Sequence, residues 1–205
     1  MHPNELFDKL FAYYGPQNWW PGEGFEIAIG AILTQNTSWK NVETALENLR
    51  KNDLLTPINI LQANFEILKK LIAPSGFFNQ KAQYLLNLCK LWVNNNNPTR
   101  EELLAVKGIG EETADSILLY LLNQPEFVID AYTVRISNRL GLSVSNSKKY
   151  WKDFYEAVIS KSVSIYNEFH ALFVIHAKTY CKKNTPDCFN CFLEKDCSFG
   201  LKASI

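Results

Sequence analysis

Four cysteines, Cys181, Cys188, Cys191 and Cys197, stand in the order C-x6-C-x2-C-x5-C, and the chain holds one further cysteine, Cys89. Cys188 and Cys191 are too close in sequence for an easy unstrained disulfide, yet two thiolates at that spacing readily ligate one centre. Four thiolates suit tetrahedral zinc or an iron–sulfur cluster. Pro186 and the lack of apolar periodicity between the cysteines fit a loop wrapped around an inorganic core. The plain alternative is four unligated thiols in a C-terminal tail; the tight spacing argues against it.

Two further segments can do chemistry. In Leu104-Ala-Val-Lys107-Gly108-Ile109-Gly110-Glu-Glu112-Thr113-Ala114, the glycines permit a tight turn and close approach of another molecule. A helix starting just beyond would offer unpaired N–H groups and a positive dipole end, which can bind a phosphate oxygen without basic side chains. The same residues also suit a plain helical hairpin whose glycines only reverse the chain. Further on, Asp130 follows Phe127-Val128-Ile129 and precedes a segment able to start a helix. It is placed as an N-cap, and a carboxylate there stays ionised because the helix dipole favours its charge. An ionised carboxylate facing a sugar can stabilise an oxocarbenium-like centre and steer water toward it.

These groups must be positioned by helices. Apolar residues recur at helical spacing in five windows: Val42/Ala45/Leu46/Leu49, Ala82/Leu85/Leu86/Cys89, Ala114/Ile117/Leu118/Leu121/Leu122, Trp151/Phe154/Tyr155/Val158 and Phe169/Leu172/Phe173/His176. His176 therefore reads as a hydrogen-bonded core histidine, and Cys89 as a small buried hydrophobe. Thr99 with Glu102 forms a capping box; Thr56-Pro57 and Asn64 read as helix starts, and Pro74-Ser75-Gly76 as a stop. No alternating strand pattern persists. The expectation is an all-α fold of about ten short helices.

The 205 residues carry 21 basic and 21 acidic side chains, so any nucleic-acid binding must rest on local geometry rather than bulk attraction. No apolar run is long enough to span a bilayer. The N-terminus shows no basic region followed by an apolar stretch, so clustered thiols point to a reducing cytoplasm.

The three motifs in this order resemble the helix-hairpin-helix DNA glycosylases of the endonuclease III group over nearly the whole chain. The resemblance implies two helical lobes, residues 25–124 carrying the hairpin and residues 1–24 with 125–205 carrying the carboxylate and cysteine loop. It implies a [4Fe–4S] cluster on Cys181, Cys188, Cys191 and Cys197, and Asp130 as the catalytic carboxylate. It also implies double-stranded DNA with a damaged base as substrate, bound by a monomer with no membrane partner, the hairpin gripping the backbone through Lys107, Gly108 and Gly110. Bifunctional members place a lysine immediately before the Thr-Ala of the hairpin, where its amine attacks C1′; here Glu112 stands there. A carboxylate cannot form an imine, so hydrolysis without a lyase step is expected.

Trp19-Trp20-Pro21 and Gln35-Asn36-Thr37-Ser38-Trp39 resemble the 3-methyladenine DNA glycosylase III branch. That likeness assigns Trp19, Trp20 and Trp39 to a base pocket with Glu112 at its edge. An alkylated purine carries positive charge, which weakens its glycosidic bond and attracts it to an indole face by about 0.5–2 kcal/mol per contact. Gln35 would fill the gap left by the extruded nucleotide, and Phe77, in Gly76-Phe77-Phe78-Asn79-Gln80-Lys81-Ala82, would wedge the stack. Phe77 also has a bland reading, as a core residue at a helix start. Acids outnumber Lys107 around the hairpin, so scattered bases such as Lys81, Arg135, Lys178, Lys182 and Lys183 are expected to supply attraction, with a shallow salt dependence.

Overall fold

A computed structural model describes residues 1–19 and 22–203, and these form helices and connections with no strand among them. The chain begins with α1 (Pro3–Tyr14), α2 (Glu26–Leu33), α3 (Trp39–Lys51), α4 (Pro57–Gln62) and α5 (Phe65–Ile72). After a 3-10 turn at Ala73–Ser75 come α6 (Phe78–Asn94), α7 (Arg100–Ala105) and α8 (Glu111–Ser116), the last continuing as a π-turn over Ile117–Leu121. Then follow α9 (Ala131–Leu140), α10 (Lys148–Val158), α11 (Val163–Thr179), a 3-10 turn at Glu194–Asp196 and α12 (Ser198–Ala203). Two compact units result, Trp20–Gln124 and Met1–Trp19 with Pro125–Ile205.

In the first of these, α2 is apolar on every side after Glu26, and Ile27 through Leu33 are all buried. A helix without a polar face belongs at a core centre; α3, α6 and α8 pack around it. The stripe Val42, Ala45, Leu46 and Leu49 faces that core, as do Ala82, Leu85 and Cys89, with Leu86 only partly covered. Helix ends follow their sequence signals. Thr99 Oγ1 accepts from the Glu102 N–H at 3.2 Å, and Glu102 Oε2 accepts from the Thr99 N–H at 2.8 Å. Asn64 Oδ1 takes the Glu66 and Ile67 N–H groups, and Thr56 caps Asn59.

The other unit is built on aromatic packing. Phe127 stacks on Tyr155 at 4.8 Å and meets Tyr166 and Phe169 edge-on, while Phe169 stacks on Phe173 at 4.7 Å. Such offset and edge contacts satisfy the ring quadrupoles as well as burying area. α11 contributes most of these rings and contacts both α1 and α9. His176 sits in this core, 3% exposed, with Nδ1 3.1 Å from the Tyr14 hydroxyl.

Candidate active site

Asp130 is the N-cap of α9, its backbone extended at φ −101° and ψ −177°. One carboxylate oxygen, Oδ1, accepts from the Thr133 N–H at 2.7 Å and from the Thr133 hydroxyl at 2.9 Å. The other, Oδ2, lies 3.7 Å from His170 Nε2 on α11, beyond good hydrogen-bond range. Burial alone would raise this carboxyl's pKa. His170 first, and the two Thr133 donors after it, more than reverse that and hold it below the ordinary aspartate range. The group is therefore a preorganised anion at neutral pH. Sequence reasoning missed His170, which lies four residues after Tyr166 and four before Val174, all three buried on α11. A titratable side chain at that spacing was the available signal, and it reads as core because nothing in the sequence brings it to Asp130.

The hairpin lies in the other unit. Gly108 has φ +103°, and a Cβ there would sit 2.1 Å from Cγ of Tyr84, so only glycine fits. Gly110 has an ordinary φ of −97°, and an added Cβ would meet nothing within 4 Å. Its lack of a side chain leaves the exposed start of α8 open. Lys107 is exposed, and its carbonyl is held by Asn87 Nδ2 at 3.2 Å. Glu112 is half-buried on the first turn of α8. The acidic surplus expected around the turn is smaller than the sequence suggests: Asp115 is 2% exposed and joined to Arg100 by a two-pronged ion pair at 2.7 and 3.3 Å.

Gln35, just past α2, donates from Nε2 to the Gly108 carbonyl and to the Thr113 hydroxyl, both at 3.0 Å, which ties it to the hairpin. Phe77 is 62% exposed and lies in the left-handed region at φ +46°, a conformation that costs a non-glycine residue about 1–3 kcal/mol. A core role for Phe77 is thereby excluded. Lys81 corrects an expectation. Instead of offering an exposed cation to DNA, it is 2% exposed, and burial pushes its pKa down to about 8. Its flanking carbonyls, not phosphate, hold it.

Among the tryptophans, Trp39, the first residue of α3, packs partly against the core and donates from Nε1 to Glu43 at 3.0 Å. Trp19 is half-buried in the other unit, with Lys178 Nζ 5.9 Å from its ring centre. Trp20 falls outside the described residues. Arg135 stacks over Tyr132 and donates to the Cys181 carbonyl, while Lys182 and Lys183 are exposed.

The four loop cysteines are free thiols that line one cavity, with about 380 Å³ of space not filled by protein atoms, open solvent included. Arg139 crosses this loop. It donates to the Lys182 and Lys183 carbonyls at 2.7 and 2.9 Å and to Cys181 Sγ at 3.4 Å. The Gly200 N–H points at Cys197 Sγ at 3.4 Å, and His176 Nε2 lies 3.9 Å from Cys191 Sγ. Burial, and then repulsion from the other thiolates, raise Cys188 and push Cys191 up to about 11. Among the described residues, no group of three or more His, Cys, Asp or Glu side chains is arranged to hold a metal ion. The donor set, four cysteine sulfurs on one loop, is of the kind that holds zinc or an iron–sulfur cluster.

Comparison with known proteins gives the chain a family. Residues 29–161 match the family described as HhH-GPD superfamily base excision DNA repair protein. The "putative DNA repair glycosylase" of Methanocaldococcus jannaschii is 46% identical over 94% of this chain and 94% of its own. Endonuclease III of Buchnera aphidicola is 32% identical, covering 87% of this chain and 86% of its own. The Helicobacter pylori 3-methyladenine DNA glycosylase bound to 1,N6-ethenoadenine superposes with a TM-score of 0.78 at 29% identity, over 87% of this chain and 98% of that one. A non-covalent endonuclease III–DNA complex shares the fold with a TM-score of 0.88 at 22% identity, over 98% of this chain and 96% of that one. The chain belongs to the HhH-GPD superfamily of base excision DNA repair proteins, as an endonuclease III-like DNA glycosylase.

Proposed function

We propose that this glycosylase is monofunctional and hydrolyses the N-glycosidic bond of alkylated purines in duplex DNA, with 3-methyladenine favoured. The observation that carries the reading is the Asp130 carboxylate. It is buried, held by Thr133 through one oxygen, and kept ionised beside His170. Negative charge fixed in advance at the position where sugar charge develops lowers the barrier without reorganisation in the transition state. A cationic alkylated base is already an activated leaving group, so water steered by the same carboxylate completes the hydrolysis. Glu112 in place of an amine removes the covalent route to strand cleavage.

The hairpin would hold the backbone through Lys107, Gly108 and Gly110, whose turn leaves open space beside the start of α8. Phe77 would enter the base stack and Gln35 would take the place of the extruded nucleotide. Trp19, Trp20 and Trp39, with Glu112, would shape the base pocket by stacking. Cys181, Cys188, Cys191 and Cys197 would hold a [4Fe–4S] cluster. When bound, it would cross-link the four thiolates of this loop. The two lobes would be residues 25–124 and residues 1–24 with 125–205.

The test is release of free base from a panel of duplexes. Release from methylated DNA, without release from thymine-glycol DNA and without borohydride trapping, is the expected pattern. The several relatives named endonuclease III favour a second reading, excision of oxidised pyrimidines or mismatched bases, and release from thymine-glycol DNA in place of methylated DNA would establish the first of these. Binding without any release would make the protein a non-catalytic hairpin module.

A further inference from the structure

Lys81 is a buried cation, 2% exposed, outside the residues proposed to touch the base or the backbone. Its Nζ donates to the Leu33 carbonyl at 2.8 Å and to the Ser75 carbonyl at 2.7 Å. These are the last residues of α2 and of the 3-10 turn after α5, so two helix C-termini, each with negative dipole character, converge on one ammonium. Both chains leave this clasp toward the residues assigned to base extrusion. Two residues past Leu33 comes Gln35, and two past Ser75 comes Phe77, reached through Gly76 at φ +69°. Gln35 in turn bonds the hairpin at Gly108 and Thr113. An aliphatic side chain of similar volume would fill the site with no charge to desolvate, so the ammonium's particular contribution is to fix two carbonyls at one separation.

We infer that Lys81 is a positioning residue for nucleotide extrusion, a buried clasp that sets the wedge turn at Phe77 and the plug turn at Gln35 on one frame with the hairpin. The inference rests on the extrusion roles proposed above but not on the identity of the excised base. Lys81 itself touches no DNA.

The test uses the full-length protein and a duplex holding a tetrahydrofuran abasic analogue beside 2-aminopurine, so no excision is needed. In the wild type, binding unstacks the reporter and its fluorescence rises. Lys81→Met should lose most of that rise, about as much as Phe77→Ala, while affinity for undamaged duplex changes by no more than about threefold, since no phosphate contact is removed. The double variant should be no worse than the more damaging single one, because both break the same device. An unchanged fluorescence rise in Lys81→Met, or independent and additive losses, would overturn the proposal. Should Lys81→Met fail to fold, the cycle Phe77→Ala against Gln35→Ala in the Lys81 background carries the same question. Coupled effects support a shared frame; strict additivity rejects it. Wild-type distortion of the abasic duplex without release of any methylated base would sink the substrate reading and leave this one standing.

Discussion

The hairpin at residues 104–114 and the segments around Asp130 and the cysteine loop are both irregular stretches at helix ends, yet they are made in opposite ways. The hairpin is made of main chain. Tyr84 fills the space a Gly108 side chain would need, Asn87 and Gln35 hold the Lys107 and Gly108 carbonyls, and Ile109 is buried at the turn. Nearby charge is cancelled where it is buried, as in the Arg100–Asp115 pair. The other region is made of ionisable side chains: a carboxylate held between Thr133 and His170, and four thiols in one cavity crossed by Arg139. Shape should therefore be the vulnerable property of the first region and charge that of the second.

The largest expected effect is at Asp130. Asparagine is as good an N-cap as aspartate, so Asp130→Asn keeps the start of α9 and removes only the charge. Single-turnover base release should fall by about 10²–10³-fold, the range for losing one preorganised electrostatic contact, with the variant still folded at the assay temperature. Unchanged release would relocate the active site. The stability of the pair also carries a sign. Because the folded carboxyl titrates below its unfolded value, Asp130 contributes its stability above the ordinary aspartate range near 3.8. That contribution is lost as pH falls through the lower folded value. Wild type should therefore lose its advantage over Asp130→Asn only in acid.

Next in size is the thiol loop. Cys191→Ser should abolish iron content, expected at about four per chain for the proposed cluster, and open the segment 181–197 to hydrogen exchange. Cys89→Ala is the internal contrast. That thiol is fully buried in the core around α2, with its pKa pushed up to about 12, so its loss should cost packing while leaving iron untouched. Equal iron loss in both variants would break the distinction between the regions.

Glycine substitutions reverse the contrast. Gly108→Ala places a methyl inside the Tyr84 ring and strains φ +103°, and should destabilise by about 2–4 kcal/mol in a denaturant titration. Gly110→Ala meets no neighbour and should change stability by no more than about 0.5 kcal/mol, yet weaken duplex affinity by crowding the approach to α8. Should Gly110→Ala bind duplex as well as wild type, the hairpin would be a simple chain reversal.

The same division explains what could be read in advance. Helix positions and caps were legible because they are local: Val42/Ala45/Leu46/Leu49 and the Thr99–Glu102 box need no knowledge of the rest of the chain. Ion and carbonyl partners were not. His170 meets Asp130 forty positions away, and Arg100 reaches Asp115 from the preceding helix. Lys81 looked like a solvent cation because lysine is rarely buried. Its ammonium is inside because two segments distant in sequence end on it, a fact that periodicity cannot carry.

The smallest expected effect concerns salt, and it follows from how the hairpin is made. Binding through main-chain N–H groups and a few bases releases few counterions, so the logarithm of affinity should fall gently with that of salt. Lys81 is no longer available to add to that slope, whereas Lys107, Lys182 and Lys183 are exposed. Lys107→Ala should reduce the slope by about 1, and Lys81→Met should leave it where it was. A steep wild-type slope, or one that Lys81→Met flattens, would mean that the hairpin grips DNA by charge after all, and that the contrast between the two regions is false.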